Sequence, residues 1–359
     1  MEIRDSRNDA RVAALRRWLD GHDDALDEWL CGRVRPIRRT ERRLLRAWGD
    51  SLIRSAPVRE CTVALSSSRP DSLRERVCIV TGANSGIGKE VARGLACLGA
   101  TVVLACRNLQ RAEAARSEIA ATTGNADLEV RELDLARFAS VRAFARNFLA
   151  VHPNVHVLVN NAGIYAAKRV LTEDGVESTF ASNHLGHFLL TNLLLDALRA
   201  NAPSRIVNVA SEASAVGKVH FDDLMLERRW NGLAAYSQSK LANVLFTFEL
   251  ARRLRGSGVT ANAMHPGGVR TNWSKGSGAM RFGMLLAWPF LLPPEKGADT
   301  ALWLAASPEA DGLTGQYFQK RRPIDPNPIA RDPAVARRLW DASETLTGLR
   351  TTAPPALPS

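Results

Sequence analysis

Tyr236 and Lys240 stand four residues apart in the segment YSQSK, a spacing that could support proton transfer. On a helix, side chains at this spacing lie on one face, one turn apart. An ammonium group there stabilises a phenolate more than a phenol, so it lowers the pKa of the tyrosine from its ordinary value of about 10. The pair therefore predicts an acid/base tyrosine assisted by a lysine. The alternative is an ordinary exposed pair, and the rest of the chain must decide between the two.

A glycine-rich segment, TGANSGIG at residues 81–88, lies between the apolar run VCIVT and an amphipathic stretch. Gly82 would allow a sharp turn, Gly86 a close approach of the backbone to a pyrophosphate, and Gly88 close packing of the following helix. The N-terminus of that helix offers free N–H groups and a favourable dipole to phosphates. The strand–turn–helix setting predicts a dinucleotide site rather than a plain tight turn. The intervening residues belong to the same predicted site: Asn84, Ser85 and Ile87.

The second strand indicates which dinucleotide binds. An NAD site typically has an acidic residue about 20 positions after the glycine loop, where it binds the 2′-hydroxyl of the ribose. Here the strand TVVLAC ends in Cys106-Arg107-Asn108, without a carboxylate. Arg107 suits a 2′-phosphate, so the sequence favours NADP over NAD. The alternative is a surface arginine in an arginine-rich chain.

The elements that must position these residues follow a regular order. From Arg76 onward, short apolar runs alternate with helical segments. This alternation predicts a parallel sheet with helices on both faces, and right-handed crossovers make it a doubly wound, Rossmann-type α/β fold. Ser211 follows the apolar strand RIVNVA, at the sheet edge where such folds bind ligands. We expect Ser211 and Tyr236 to donate to one substrate oxygen, on which negative charge develops.

The two ends of the chain differ from this pattern. Residues 1–72 are rich in arginine, contain no lysine and show helical periodicity, which predicts an added helical region of unknown role. The dinucleotide-binding domain is predicted at 73–349, and the Pro-rich end at 350–359 is predicted to be disordered. The basic run from Arg33 to Arg46 has no interleaved aromatic residues, so nucleic acid is not an expected partner. Peripheral contact with a membrane is the alternative to a solvated helical hairpin.

Composition narrows the class of protein. The chain of 359 residues is 45% apolar and 24% charged, as soluble globular proteins are. Its net charge of +11 suits phosphate-bearing ligands, nucleic acid or an anionic membrane surface, and by itself selects none of them. Its five cysteines are scattered and show no zinc-type spacing, which predicts reduced thiols and a cytoplasmic location. The most apolar segment, Phe282 to Pro294, is shorter than the roughly 20 residues of a membrane span and is broken by Pro289.

Several motifs stand in an order and spacing typical of one family: TGANSGIGKE, LDLA, NNAG, SNHLGHFLLTNLL, RIVNVAS, YSQSKLANVLF and HPGGVRT. With these motifs the chain resembles the short-chain dehydrogenases/reductases. Its closing segments, GQYFQKRRP and RRLWDASETLTGL, resemble the retinol dehydrogenase-like branch. The resemblance covers roughly residues 74–349 and does not extend to the N-terminal region.

The resemblance implies roles for individual residues. Tyr236 would be the catalytic acid/base, Lys240 would lower its pKa and bind the nicotinamide ribose, and Ser211 would bind the substrate oxygen. Asn183 matches the asparagine that holds a water leading toward the lysine. Further residues would contact the cofactor: Asp134 at the adenine, then Leu135, Asn160, Ala162 and Gly163, and Pro266, Gly267 and Thr271 at the nicotinamide.

The expected function is that of an NADP-dependent oxidoreductase acting on the carbonyl or alcohol of a retinoid-like, aliphatic or steroid-like substrate. The apolar segment 273–290 is expected to cover that substrate; the alternative is that its side chains pack on the protein core or on a dimer partner. The alternative is a non-catalytic NADP-binding regulator of the same fold, which the retained Tyr236 and Lys240 disfavour. No metal is expected, because His184, His187 and His265 lack acidic partners at metal-binding spacing. The interpretation is compatible with a homodimer.

Overall fold

The first six strands lie where the sequence predicted them. In a computed structural model, which describes residues 72–269 and 292–349, all these residues belong to one compact unit. The strands are β1 (Val77–Thr81), β2 (Thr101–Cys106), β3 (Leu128–Glu132), β4 (Val157–Asn160), β5 (Ser204–Val209), β6 (Val259–Met264), β7 (Tyr317–Gln319) and β8 (Arg322–Pro323). Residues 1–71 and 350–359, Thr271 and the segment 273–290 lie outside the described residues.

Helices connect most of these strands. They are α1 (Gly86–Cys97), α2 (Leu109–Thr123), α3 (Phe138–Leu149), α4 (Gly186–Ala200), α5 (Gly232–Arg253), α6 (Pro294–Ala306) and α7 (Pro333–Thr347). A three-residue helix, Ser178–Phe180, and a π-helical segment, Ala181–Leu185, lead directly into α4. A 3-10 helix, Glu212–Val216, follows β5.

The sheet is the predicted doubly wound one. Its strand order in the described residues is β3-β2-β1-β4-β5-β6-β7-β8, and every neighbouring pair is parallel except β7 and β8. The chain runs outward from β1 to β3 and then returns to place β4 on the other side of β1. This reversal opens a crevice at the carboxyl ends of β1 and β4, where such sheets bind ligands.

Alternate residues of the central strands serve two cores. Val77 and Ile79 belong to the core under α3, α4, α5 and α7, whereas Cys78 and Val80 belong to the core under α1, α2 and α6. Because both faces of the sheet are covered there, the central strands β1, β2 and β4 are almost continuously apolar, whereas the edge strand β3, LEVRE, alternates with charged residues. The last two strands were not predicted, because β7 has three residues and β8 two, too few to form a pattern.

Two further expectations concern membrane-spanning helices and the state of the cysteines. No helix within residues 72–269 and 292–349 is long and apolar enough to cross a membrane. Cys78 and Cys106 are buried free thiols, as predicted. The prediction of reduced thiols is wrong for Cys97, which is disulfide-bonded.

Candidate active site

The crevice at the reversal of strand order has a volume of about 680 Å³ and gathers most of the predicted site residues. They come from seven separate places in the chain, which only the fold brings together. The predicted residues that line it are Gly82, Asn84, Ser85, Gly86, Ile87, Gly88, Arg107, Asp134, Leu135, Ala162, Gly163, Ser211, Tyr236, Lys240, Pro266 and Gly267.

The glycine loop has the tight geometry that its sequence predicted. Gly82 has a φ of +67°, a left-handed conformation that favours glycine. A Cβ on Gly88 would lie 2.6 Å from the carbonyl oxygen of Gly82 and 2.4 Å from Nδ2 of Asn161, so no side chain fits there. Ser85, the residue before α1, makes no side-chain capping hydrogen bond, which leaves the first N–H groups of α1 to a ligand.

Thr81 fastens the glycine loop to the loop after β4. Its hydroxyl oxygen accepts hydrogen bonds from the backbone N–H groups of Asn161, at 2.9 Å, and Ala162, at 3.0 Å. In return, Nδ2 of Asn161 donates to the carbonyl oxygen of Thr81 at 2.8 Å. These contacts hold the two walls of the crevice in register. Sequence reasoning overlooked Asn161, although it lies within the quoted motif NNAG.

Helix α5 supplies both members of the Tyr/Lys pair, on one face as predicted. Lys240 Nζ lies 5.8 Å from the centre of the Tyr236 ring and donates a hydrogen bond to the carbonyl oxygen of Val209 at 2.9 Å. Burial lowers the pKa of Lys240 to about 8, because an ammonium group loses its hydration there. A Cβ on Gly163 would lie 3.2 Å from Nζ, so the glycine keeps the space beside this ammonium open.

The pKa of Tyr236 shifts against the predicted direction. Burial raises it well above its ordinary value, because the phenolate would lose its hydration. A hydrogen bond with the Ser211 hydroxyl acts the other way and lowers it. The prediction that the neighbouring lysine brings this pKa down is therefore wrong for the net shift. What the sequence could not show is that only 7% of Tyr236 is exposed.

Ser211 sits at the end of β5, as its place after RIVNVA predicted. It caps the 3-10 helix that follows: its Oγ accepts a hydrogen bond from the N–H of Ala213 at 3.3 Å. The same hydroxyl reaches Tyr236 across the crevice. The hydroxyl groups of Ser211 and Tyr236 therefore face a common space, and together they could bind one substrate oxygen.

Asn183 does not line the crevice but lies fully buried just behind it. Its Oδ1 accepts from the N–H of Ile164 at 2.7 Å, and its Nδ2 donates to the carbonyl oxygen of Ile164 at 3.0 Å and to Ser239 Oγ at 2.9 Å. Asn183 thus holds the loop after β4 against α5. The water-holding role that the resemblance implied stays a prediction.

Asn160 also lies away from the crevice, which corrects its predicted place in the cofactor lining. Its Nδ2 donates to Thr191 Oγ1 at 2.9 Å and to Asn208 Oδ1 at 2.8 Å, inside the core between β4, β5 and α4. The reason is the alternation of side chains along β4, which points this residue inward.

The adenosine end of the crevice carries two arginines. Arg107 directly follows β2, and Arg111 lies four residues later, in the first turn of α2. Asn108 caps this helix, because its side chain accepts a hydrogen bond from the N–H of Arg111 at 2.9 Å. Neither guanidinium has an ion-pair partner among the described residues. Sequence reasoning missed Arg111, which its four-residue spacing from Arg107 could have indicated. Lys89 is less available, since its Nζ pairs with Glu118 at 2.9 Å.

The residues present suit a nicotinamide dinucleotide. Phosphates fit the glycine loop, the N-terminus of α1 and the two arginines, Arg107 and Arg111. Lys240, Tyr236 and Ser211 lie at the opposite end of the same crevice. Within the described ranges, no cluster of His, Cys, Asp and Glu side chains could hold a metal ion.

Comparison with known proteins agrees with this geometry. The short chain dehydrogenase family model matches residues 76–281. Human retinol dehydrogenase 11 is 48% identical over 274 residues, covering 76% of this chain and 86% of the relative. Human retinol dehydrogenase 14 is 45% identical over 297 residues, covering 78% and 88%.

Solved structures show the same fold. An uncharacterised protein of Mycobacterium paratuberculosis is 38% identical, with a TM-score of 0.63 over 79% of this chain and 98% of that one. A protein of Beutenbergia cavernae, described as an NAD(P)-dependent gluconate 5-dehydrogenase and crystallised with NADP at low occupancy, is 30% identical, with a TM-score of 0.56 over 70% and 96%. The chain is an oxidoreductase that belongs to the short-chain dehydrogenases/reductases, in their retinol dehydrogenase-like branch.

Proposed function

We propose that this protein is an NADP-dependent oxidoreductase that interconverts the carbonyl and alcohol forms of an apolar substrate. The observation that carries the proposal is the convergence of Ser211, Tyr236 and Lys240 at one end of a crevice whose other end is built for phosphates. The alternative, a non-catalytic regulator, has no need of this convergence.

The cofactor would lie along the crevice in one direction. The N–H groups at the start of α1 would receive the pyrophosphate, Asp134 the adenine, and Lys240 the nicotinamide ribose. Arg107 and Arg111 would pair with a 2′-phosphate, and no carboxylate ends β2 to bind the 2′-hydroxyl of NAD. This charge arrangement supports NADP over NAD.

The side chains divide the acid/base work among them. A bound nicotinamide would supply or accept the hydride. In the reductive direction, Ser211 donates a hydrogen bond to the substrate oxygen and Tyr236 gives it a proton as negative charge develops there. Because burial raises the pKa of Tyr236, the phenol remains protonated at neutral pH and is ready to act as an acid. The positive charge of Lys240 stabilises the phenolate that this transfer leaves.

Two observations support an apolar substrate. The relatives with high identity are named retinol dehydrogenases, and retinol is a largely apolar alcohol. The sequence after β6 carries many large apolar side chains, among them Trp273, Met280, Phe282, Met284, Leu285, Trp288 and Phe290. Burial of one such group or an equivalent ligand group contributes roughly 1.5–3 kcal/mol. Retinoid-like, aliphatic and steroid-like carbonyls all meet this requirement.

Replacing Tyr236 with phenylalanine tests the mechanism. Tyr236→Phe keeps the ring but removes the transferable proton, so kcat for retinaldehyde or decanal with NADPH should fall by a factor of about 10² or more. The dissociation constant for NADPH, measured by fluorescence quenching, should stay close to that of the parent.

A matched control makes the same chemical change nearby. The ring of Tyr165 lies 6.0 Å from that of Tyr236, and Tyr165→Phe should leave kcat within about threefold of the parent, since it keeps that ring and leaves the proposed acid/base phenol in place. Turnover of the Tyr236→Phe protein at the level of the parent would reject the proposed mechanism. Absence of turnover in the parent across the carbonyl panel, with NADPH bound, would favour the regulator instead.

A further inference from the structure

A residue far along the chain holds the backbone of Ser211. The hydroxyl of Tyr317, 106 residues later, donates a hydrogen bond to the carbonyl oxygen of Ser211 at 3.1 Å. Since a carbonyl can only accept, this contact takes the single hydrogen of the phenol. The hydroxyl of Ser214, also 3.1 Å away, must then donate to the Tyr317 oxygen. One phenol thus contacts the turn after β5 at two points.

Tyr317 is itself held rigidly. It lies on β7 opposite Ala263 of β6, and its carbonyl oxygen accepts from the N–H of Ile324 at 2.8 Å. Only 4% of the residue is exposed, and burial raises its pKa to about 12, so its phenol remains a hydrogen-bond donor across the working pH range. The sheet, rather than a loop, therefore fixes the position of Tyr317.

The far end of the same turn is held from the C-terminal segment as well. Asn327 Nδ2 donates to the carbonyl oxygens of Ala215 at 3.0 Å and Gly217 at 3.1 Å. By contrast, the Ser211 side chain has a single long backbone contact of its own, from Ala213 N–H at 3.3 Å. Its hydroxyl therefore depends on where its backbone lies.

We propose that Tyr317 is a positioning residue for the active site, which sets the place of the Ser211 hydroxyl through the Ser211 carbonyl. The proposal rests on the proposed function, in which Ser211 binds the substrate oxygen. In the parent, the Ser211 hydroxyl reaches both this oxygen and Tyr236. Without the Tyr317 hydroxyl, the Ser211 carbonyl keeps the N–H of Ser214 at 2.9 Å, which belongs to the same turn, but it loses its connection to β7, so the turn is free to shift.

The dependence on Ser211 gives this movement a distinct signature. A positioning residue acts only through the group that it positions, so the loss of the Tyr317 hydroxyl should matter when Ser211 carries its own hydroxyl and should matter little when it does not. A purely structural residue would cost the same in both backgrounds.

The test is Tyr317→Phe in the full chain. We expect kcat for reduction of decanal to fall at least about tenfold, since small misplacements of a catalytic group can cost up to about 10²-fold. The dissociation constant for NADPH should not change. In the Ser211→Ala background the same change should lower kcat by at most about twofold, because the hydroxyl that Tyr317 positions is already absent.

Ser214→Ala is the matched control, because it removes the other hydrogen bond to the same phenol and keeps the one to Ser211. We expect kcat of the Ser214→Ala protein to stay within about threefold of the parent. A purely structural role predicts that Tyr317→Phe lowers kcat by the same factor with and without the Ser211 hydroxyl. That result, or parent-like kcat in the Tyr317→Phe protein, would overturn the proposal. If the phenylalanine variant does not fold, Tyr317→Leu, which also removes the hydroxyl, replaces it, and parent-like kcat there would count equally against the proposal.

The outcome is separable from that of the proposed function. If Tyr236→Phe abolishes turnover while Tyr317→Phe does not, the mechanism stands and the positioning role fails. If Tyr236→Phe turns over like the parent, both fail.

Discussion

At the residue scale, two guanidinium groups determine the charge of the adenosine end of the crevice. Arg107 and Arg111 both line it, and neither is neutralised by a carboxylate among the described residues. A bound 2′-phosphate would provide the missing negative charge. The preference of the enzyme between its two cofactors should therefore follow these side chains.

Arg107→Asp should reverse that preference. A charge-assisted hydrogen bond contributes roughly 1.5–3 kcal/mol, so the ratio of kcat/KM for NADPH to that for NADH should fall about ten- to hundredfold. Arg116→Asp is a suitable control, because Arg116 lies nearby in sequence, on α2, but pairs with Glu113 at 2.7 Å. An unchanged ratio in Arg107→Asp would move phosphate recognition to Arg111.

Residue types and spacing predicted which residues form the site, but not the direction in which the pKa of Tyr236 shifts. Tyr236, Lys240 and Ser211 lie together as predicted, because a helical spacing and a strand end are local properties. The pKa of Tyr236 depends on burial by parts of the chain remote in sequence, which no local pattern contains. Asn160 was misplaced for the related reason that the inward or outward direction of one strand residue depends on the pleat.

At the element scale, the π-helical segment Ala181–Leu185 shapes the base of the site. The carbonyl oxygen of Asn183 lies within 3.0 Å of two side-chain nitrogens, Asn243 Nδ2 and His187 Nδ1. His187 Nε2 in turn lies 2.9 Å from Thr81 Oγ1, which fixes its tautomer: Nδ1–H donates to the carbonyl, and Nε2 accepts from the threonine. The segment thus connects α5 to the glycine loop. Its apolar spacing is that of an ordinary α-helix, so the sequence did not reveal it.

His184 in this segment and His187 near the start of α4 are both buried, which predicts that the protein loses stability in acid. Burial lowers the pKa of His184 to about 4 and that of His187 to about 3. Below pH ~6.5 these two histidines bind protons in the unfolded chain but not in the native protein, so the free energy of unfolding falls as pH decreases. The loss attributable to His184 should reach about 3 kcal/mol near pH 4, at about 1.36 kcal/mol for each unit of pKa difference.

Urea unfolding between pH 7.5 and pH 4.5 measures this effect. His184→Asn, which removes the titrating group, should be less stable than the parent at pH 7.5 but should lose less stability on acidification. Carboxylates titrate in both proteins and cancel in the difference. The exposed His220, replaced by asparagine, serves as the control and should keep the slope of the parent. Equal slopes in the parent and His184→Asn would contradict a neutral buried imidazole.

At the scale of the whole molecule, the order of strands creates the site. The strands from β1 to β6 were predictable, because a sheet covered on both faces requires continuous apolar runs. Their carboxyl ends bring together residues from Gly82 to Gly267. The supports from the C-terminal segment, Tyr317 and Asn327, were not predictable, since a tyrosine and an asparagine remote in sequence carry no sign of which loop they contact.

With the cofactor in the crevice, as proposed, the remainder of the substrate would extend beyond Ser211 and Tyr236. In the sequence after β6, residues 273–290 provide apolar side chains for that part of the substrate. Each buried methylene contributes about 0.8 kcal/mol, so kcat/KM should rise by up to about fourfold for each carbon added along a series of straight-chain aldehydes from propanal to decanal. Aldehydes of matched length ending in a hydroxyl group serve as controls and should lose this gain, because their far end would be desolvated without a partner. A flat or falling series would exclude an apolar substrate, while leaving the reductase assignment intact.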